Sequence, residues 1–174
     1  NTLMKFVFVG NRRFVLDEMC RHKLKLAAIF AVTDSHLDKQ LSYSSTGYTQ
    51  INSRQDLLSK LEHLDFDVLV SNGCPYILPV DDISNKIYVN IHPSLLPDLR
   101  GIDPVIGAIL FNRDAGATCH FMDKGVDTGD IISQVKIPYT PDLDVSLLYQ
   151  LSFIAEQQVF TKSLQRDFVP TKKQ

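Results

Sequence analysis

Short apolar runs alternate along this chain with stretches whose apolar residues recur at helical spacing. Met4-Lys5-Phe6-Val7-Phe8-Val9-Gly10 is apolar on both faces, the pattern of a strand buried in a parallel sheet. Gly10 opens a turn into a predicted helix from about Arg13 to His22, and Leu24 to Val32 reads as a second buried strand. The segment from Thr33 to Thr49 is polar, serine-rich and unpatterned, and reads as a surface excursion that could border a substrate. Ser53-Arg54-Gln55-Asp56 has the form of a capping box. Beyond it, Leu57, Leu58, Leu61 and Leu64 form the apolar stripe of an amphipathic helix, a core face.

Asp67-Val68-Leu69-Val70-Ser71 is the next buried strand. In Asn72-Gly73-Cys74-Pro75-Tyr76-Ile77-Leu78-Pro79, two prolines bracket an apolar tripeptide and predict a loop. Ile87-Tyr88-Val89-Asn90-Ile91-His92 is β-prone and is stopped by Pro93 and Pro97. Pro104 suits the first turn of a helix running to about Phe111. Ala117 to Met122 and Ile131 to Ile137 read as the last two strands. Val145 to Leu164 reads as a long helix with Leu148, Leu151, Ala155 and Val159 on one stripe, and Val169 to Gln174 as a short polar tail. Alternating strands and helices predict an α/β fold: an open, mostly parallel sheet in three layers, with helices on both faces. One catalytic domain over residues 1–174 is expected, with its site beyond the carboxyl ends of the strands.

Composition narrows the function classes. A hydrophobic share of 44% and a charged share of 22% are those of an ordinary globular protein. A net charge of -2 offers no broad footprint for a phosphate backbone, so a nucleic-acid partner is not expected. Cys20, Cys74 and Cys119 form no C-x-x-C pair, which fits reduced thiols and a cytoplasmic setting. No apolar run reaches membrane-spanning length and the amino end has no signal-peptide pattern, so no membrane partner is expected. His22, His36, His63, His92 and His120 are scattered without H-E-x-x-H or paired spacing, and no metal is predicted.

The candidate chemistry centres on Asn90 and His92, which lie two apart and so share one face of a strand. They either cap the strand end or offer an oxyanion donor and a proton carrier side by side. Gly10-Asn11-Arg12-Arg13 puts cations at the first strand-to-helix turn, as a phosphate contact or as a plain turn with solvated arginines. Arg100 either reaches an anionic group on a substrate or is a solvated loop arginine. The Asp-rich stretch from Asp123 to Asp130 is, by composition alone, a solvated turn.

Asn90-Ile91-His92-Pro93-Ser94-Leu95-Leu96-Pro97, then Arg100-Gly101, then Gly125-Val126-Asp127-Thr128-Gly129-Asp130 resemble the formyltransferase family that uses 10-formyltetrahydrofolate. That family includes the glycinamide ribonucleotide, methionyl-tRNA and nucleotide-sugar N-formyltransferases. The resemblance is densest from about Asn72 to about Pro138. It implies a Rossmann-related sheet, 10-formyltetrahydrofolate as formyl donor without any metal, and a primary amine as acceptor. It makes Asn90, His92 and Asp127 catalytic: Asn90 at the oxyanion, His92 as oxyanion support or proton carrier, and Asp127 beside the imidazole or orienting a water. It puts Tyr76, Ile77 and Leu78 against the pterin, Asp123 and Val126 also with the donor, and Ser94, Arg100, Gly10 and Arg12 with the substrate.

The first turn departs from the Gly-Ser-Asn phosphate loop expected of a glycinamide ribonucleotide enzyme, while Arg100-Gly101 followed by Pro104 looks like the methionyl-tRNA and sugar branches. Methionyl-tRNA enzymes carry an additional C-terminal domain, and only about ten residues follow the last predicted helix here. A nucleotide-linked amino sugar is therefore the first expectation for the acceptor. Glycinamide ribonucleotide, methionyl-tRNA, and water (a formyltetrahydrofolate hydrolase) are the alternatives, with a non-catalytic folate-binding domain as a further class. A homodimer stays open.

Overall fold

The computed structural model describes residues 4–100, 104–110, 114–123, 127–137 and 142–174, without the side chains of residues 105, 106 and 110. The strands form one open sheet in the order β3-β2-β1-β4-β5-β6-β7. The chain comprises two compact units, one ending at Val89 and the other beginning at Asn90.

The first unit holds β1 (Lys5–Gly10), α1 (Phe14–Arg21), β2 (Lys25–Val32), α2 (His36–Ser42), β3 (Thr49–Ile51), α3 (Arg54–Leu61), β4 (Val68–Asn72) and the start of β5 (Ile87–His92). β1 runs parallel to both β2 and β4, and β2 parallel to β3, with helices in the crossovers that parallel pairing demands. Phe6, Val7, Phe8 and Val9 are all buried, as expected of a strand covered on both faces. The strand order reverses at β1, so the ends of β1 and β4 form the topological switch point where open α/β sheets receive ligands. At that point a Cβ on Gly10 would lie 2.2 Å from the Asn72 carbonyl oxygen, so only glycine lets the two strand ends approach.

α3 starts at the expected serine: the Ser53 hydroxyl accepts from Asp56 N at 3.0 Å, the Asp56 carboxylate accepts from Asn52 N at 3.1 Å, and Leu57 and Leu61 are fully buried. The unpatterned excursion from Thr33 to Thr49 needs correcting. It contains α2, capped by Ser35, whose hydroxyl accepts from Asp38 N at 3.2 Å. Leu37 and Leu41, one turn apart, bury the inner side of α2. The buried Asp38 carboxylate accepts from Asp34 N, Tyr48 Oη and Gln50 Nε2, which fixes the segment to β3.

The second unit continues with the end of β5, α4 (Pro104–Leu110), β6 (Ala115–Phe121), β7 (Ile131–Ile137) and α5 (Val145–Gln165). β6 and β7 pair antiparallel, and α5 packs on both. Leu148, Ala155 and Val159 of the predicted stripe are buried on that contact, whereas Leu151 is half-buried. Ala108, Ala115 and Leu148 anchor a cluster that Leu99, Ile109, Ile137, Leu143 and Tyr149 complete. The α/β class and the mostly parallel open sheet are thus as expected, and β6 and β7 add an antiparallel pair.

Candidate active site

β5 ends in alternation: Val89 and Ile91 are buried on one side, while Asn90 and His92 share the other. The register between β6 and β7 shifts between Cys119 and His120, a bulge that re-aims the side chains beyond it. The Asp loop connects these two strands. Phe121 N donates to Asp130 O at 2.9 Å and closes its neck, and a Cβ on Gly129 would lie 1.7 Å from Phe121 O. Asp127 sits in this loop at φ 54, in the left-handed region that Asp tolerates better than most side chains.

Three elements therefore converge on one carboxylate. Asp127 Oδ2 lies 3.2 Å from His92 Nδ1. Asp127 Oδ1 accepts from Asn90 Nδ2 at 3.1 Å and lies 3.2 Å from His120 Nε2. Asn90 Nδ2 also lies 3.3 Å from His120 Nε2. Main-chain carbonyls set the tautomers, because they can only accept. His120 Nδ1 donates to Phe121 O at 2.8 Å, which leaves Nε2 to accept from Asn90. His92 Nε2 donates to Leu99 O at 2.8 Å, which leaves Nδ1 turned toward Asp127.

Burial holds the His92 imidazole below its ordinary pKa; Asp127 and the Leu99 carbonyl oppose that shift, His120 adds to it, and Glu156 opposes it. A neutral ring with its lone pair facing a carboxylate is built to take up a proton at Nδ1, where Asp127 stabilises the imidazolium formed.

The sign of the pH effect follows. Above the unfolded pKa of about 6.5 the ring is neutral in both states, and His92's contribution to stability is fully present. Below it the unfolded chain protonates first, so that contribution is lost as pH falls toward the folded pKa. In urea unfolding from about pH 7.5 to about pH 5, the stability advantage of wild type over His92→Gln is expected to shrink. An advantage that grows toward acid would contradict this sign.

His92 is only 5% exposed, and the chain leading away from it is tightly held. The Leu96–Pro97 peptide is cis. Thr118 Oγ1 donates to Ser94 O at 2.7 Å and accepts from Leu96 N at 3.1 Å, while Gln134 Nε2 reaches Leu96 O at 2.8 Å. The Ser94 hydroxyl is buried and donates to Asp98 O at 2.9 Å, closing the turn after His92.

The other predicted residues stand as follows. Arg100 is exposed, and its Nη2 donates to Gln174 Oε1 at 3.2 Å. Asp123 is exposed, and its Oδ1 accepts from Thr128 Oγ1 at 2.7 Å. Val126 lies outside the described residues, as do Gly101 and Gly125 of the motif and Phe111 of the predicted helix end. In the first unit, Gly10 ends β1, and Arg12 Nη1 donates to Asn11 Oδ1 at 3.0 Å. Arg13 is tied to Asp17 at 3.0 Å, so one of the two cations of this turn serves α1. In the loop after β4, Ile77 is 69% exposed, Leu78 is buried and Tyr76 is half-buried.

His120 is the site residue that the spacing of polar residues did not reveal. It lies inside an apolar strand pattern, and its one signal was alternation with Thr118 on a common face. Burial pushes the Cys74 thiol up to about 11 and the Cys119 thiol up to about 12, away from the reactive thiolate. Among the described residues no group of three or more His, Cys, Asp or Glu side chains is arranged to hold a metal ion. Among them, too, no helix is long and apolar enough to cross a membrane.

Comparison with known proteins adds to this geometry. The formyl transferase family model, Formyl_trans_N, matches residues 22–164. A methionyl-tRNA formyltransferase of Clostridium beijerinckii is 29% identical over 97% of this chain, and the chain spans 62% of that relative's length. The fold is shared with a 4-N formyltransferase of Francisella tularensis at a TM-score of 0.82 and 22% identity, covering 99% of this chain and 74% of that one. It is likewise shared with a phosphoribosylglycinamide formyltransferase of Anaplasma phagocytophilum at a TM-score of 0.80 and 21% identity, covering 96% of this chain and 88% of that one.

Proposed function

This chain belongs to the formyl transferase family, and from that premise we propose that it transfers the formyl group of 10-formyltetrahydrofolate to a primary amine, with Asn90, His92 and Asp127 catalytic. One observation carries the reading: the Asp127 carboxylate meets the His92 imidazole with one oxygen and the Asn90 amide with the other.

In the reaction, the neutral amine attacks the formyl carbon and a new C–N bond forms as the carbonyl oxygen becomes an oxyanion. Both N–H groups of Asn90 are engaged at rest, over 3.1 and 3.3 Å, lengths slack enough for one to turn to that oxygen. The amine proton passes through the carboxylate region to His92 Nδ1, where Asp127 stabilises the charged ring. Returned to N10 as the C–N10 bond breaks, it leaves a formamide and tetrahydrofolate. No covalent enzyme intermediate is needed. The loop carrying Tyr76, Ile77 and Leu78 is proposed to receive the pterin, for which Ile77 offers an uncovered aliphatic side chain. Gly10 and Arg12, at the switch point, are proposed for an anionic group of the substrate.

For the acceptor we propose a nucleotide-linked amino sugar. The Arg100-Gly101 to Pro104 pattern supports it. A second reading, methionyl-tRNA, is favoured by the Clostridium relative. A panel of nucleotide-linked amino sugars, glycinamide ribonucleotide and methionyl-tRNA, each with 10-formyltetrahydrofolate, is expected to yield a formylated amino sugar by mass spectrometry. Formylation of methionyl-tRNA alone would replace that acceptor. Tetrahydrofolate and formate released with water alone would make the protein a hydrolase.

A further inference from the structure

We infer that Gln174 is a positioning residue that braces the two loops holding the His92–Asp127 couple, an inference that rests on the catalytic reading above. Its side chain makes three hydrogen bonds at once. Gln174 Nε2 donates to Asp127 O at 2.9 Å and to Gly129 O at 2.6 Å. Gln174 Oε1 accepts from Arg100 Nη2 at 3.2 Å.

Each bond ends beside a contact of the imidazole. Arg100 directly follows Leu99, whose carbonyl fixes His92 Nε2. Asp127 presents its carboxylate to His92 Nδ1. Both Leu99 and Asp127 sit at left-handed φ, 56 and 54, conformations that persist only where the surroundings over-determine them. One amide spans them with its donor end on one loop and its acceptor end on the other, the polarity that each demands. Its main chain is anchored as well: residues 171–172 pair with the start of β7, where Thr171 N donates to Ile131 O at 2.7 Å and Ile131 N to Lys172 O at 2.8 Å. The tail read as a polar appendage thus contributes an ordered strap to the site.

The test uses the full chain with two readouts. Histidine-selective NMR titration needs no ligand and reports the surroundings of His92 directly. Turnover of 10-formyltetrahydrofolate with the acceptor found by the panel reports the reaction. In Gln174→Ala, the His92 resonance is expected to move toward that of Asp127→Asn, and kcat to fall roughly tenfold to a hundredfold with the donor KM little changed. Gln174→Glu keeps the size of the side chain and the acceptor for Arg100 but sets an oxygen against two carbonyls. It is expected to fall as far, and it carries the comparison should the alanine variant fail to fold. On an Asp127→Asn background, Gln174→Ala is expected to cost much less than it does alone, since one of the two loops it braces is the one that presents Asp127. A His92 titration unchanged in both Gln174 variants, or losses that multiply independently of Asp127→Asn, would overturn the brace. Full turnover in Asp127→Asn would instead overturn the catalytic reading, leaving the NMR comparison to decide the brace on its own.

Discussion

Replacing Asp127 with alanine is expected to lower turnover by roughly a hundred- to a thousandfold while leaving donor affinity nearly intact. The carboxylate touches Asn90, His92 and His120 together, so its loss disturbs the proposed proton acceptor and the proposed oxyanion donor at once. His92→Ala removes the ring proposed to accept the proton, and alone it should cost a similar factor. The double variant should lose much less than the product of the two factors, because a carboxylate with no imidazole to polarise has little left to contribute. Asn90→Ala should keep the fold, since Asn90 is not part of the buried apolar side of β5. Steady-state kinetics of the three single variants and the double, with folded fraction measured by circular dichroism, decide the matter. Variants that unfold yet keep normal activity per folded molecule would make these residues strand-end caps.

Gly129→Ala is the second large effect expected. A Cβ there would stand 1.7 Å from Phe121 O and 2.6 Å from Phe121 C, both backbone atoms that no rotamer change can clear. The loop or the end of β6 must shift, straining the Phe121 N to Asp130 O bond that closes the loop. Forcing an extra methyl into a packed position typically costs 1–3 kcal/mol, about that much here as a lower limit. The same shift carries Asp127 away from His92, so turnover should fall by more than the lost folded fraction explains. Urea unfolding and kinetics on one preparation separate the two effects. Wild-type values for both would show that the loop has slack its packing does not reveal.

Much of this was legible in the sequence, and the failures have local causes. β5 declared itself through an apolar run stopped by prolines, and alternation alone set Asn90 and His92 on one face. The longer helices showed their stripes. α2 escaped because seven residues with one buried pair, Leu37 and Leu41, give barely two turns of periodicity amid polar neighbours. Its Ser35-x-x-Asp38 capping signal was present all the same. His120 escaped because a polar residue inside an apolar strand shows its purpose only when two distant segments meet it. Gln174 was invisible for the same reason: its partners stand 74, 47 and 45 residues away. No periodicity extends over such separations.

The left-handed backbone at Asp127 has a consequence for how this position can vary through time. From an aspartate codon, single-base changes lead to Asn, Glu, Gly, Ala, Val, His and Tyr. Asparagine and glycine accept a φ of 54 readily but bring no carboxylate. Glutamate keeps the carboxylate on a longer arm and fits that backbone less well, while β-branched valine fits it worst. Chemistry and conformation thus reject different neighbours, and no one-base step satisfies both. On the catalytic reading, a lineage leaves Asp127 only by giving up either the charge or the loop.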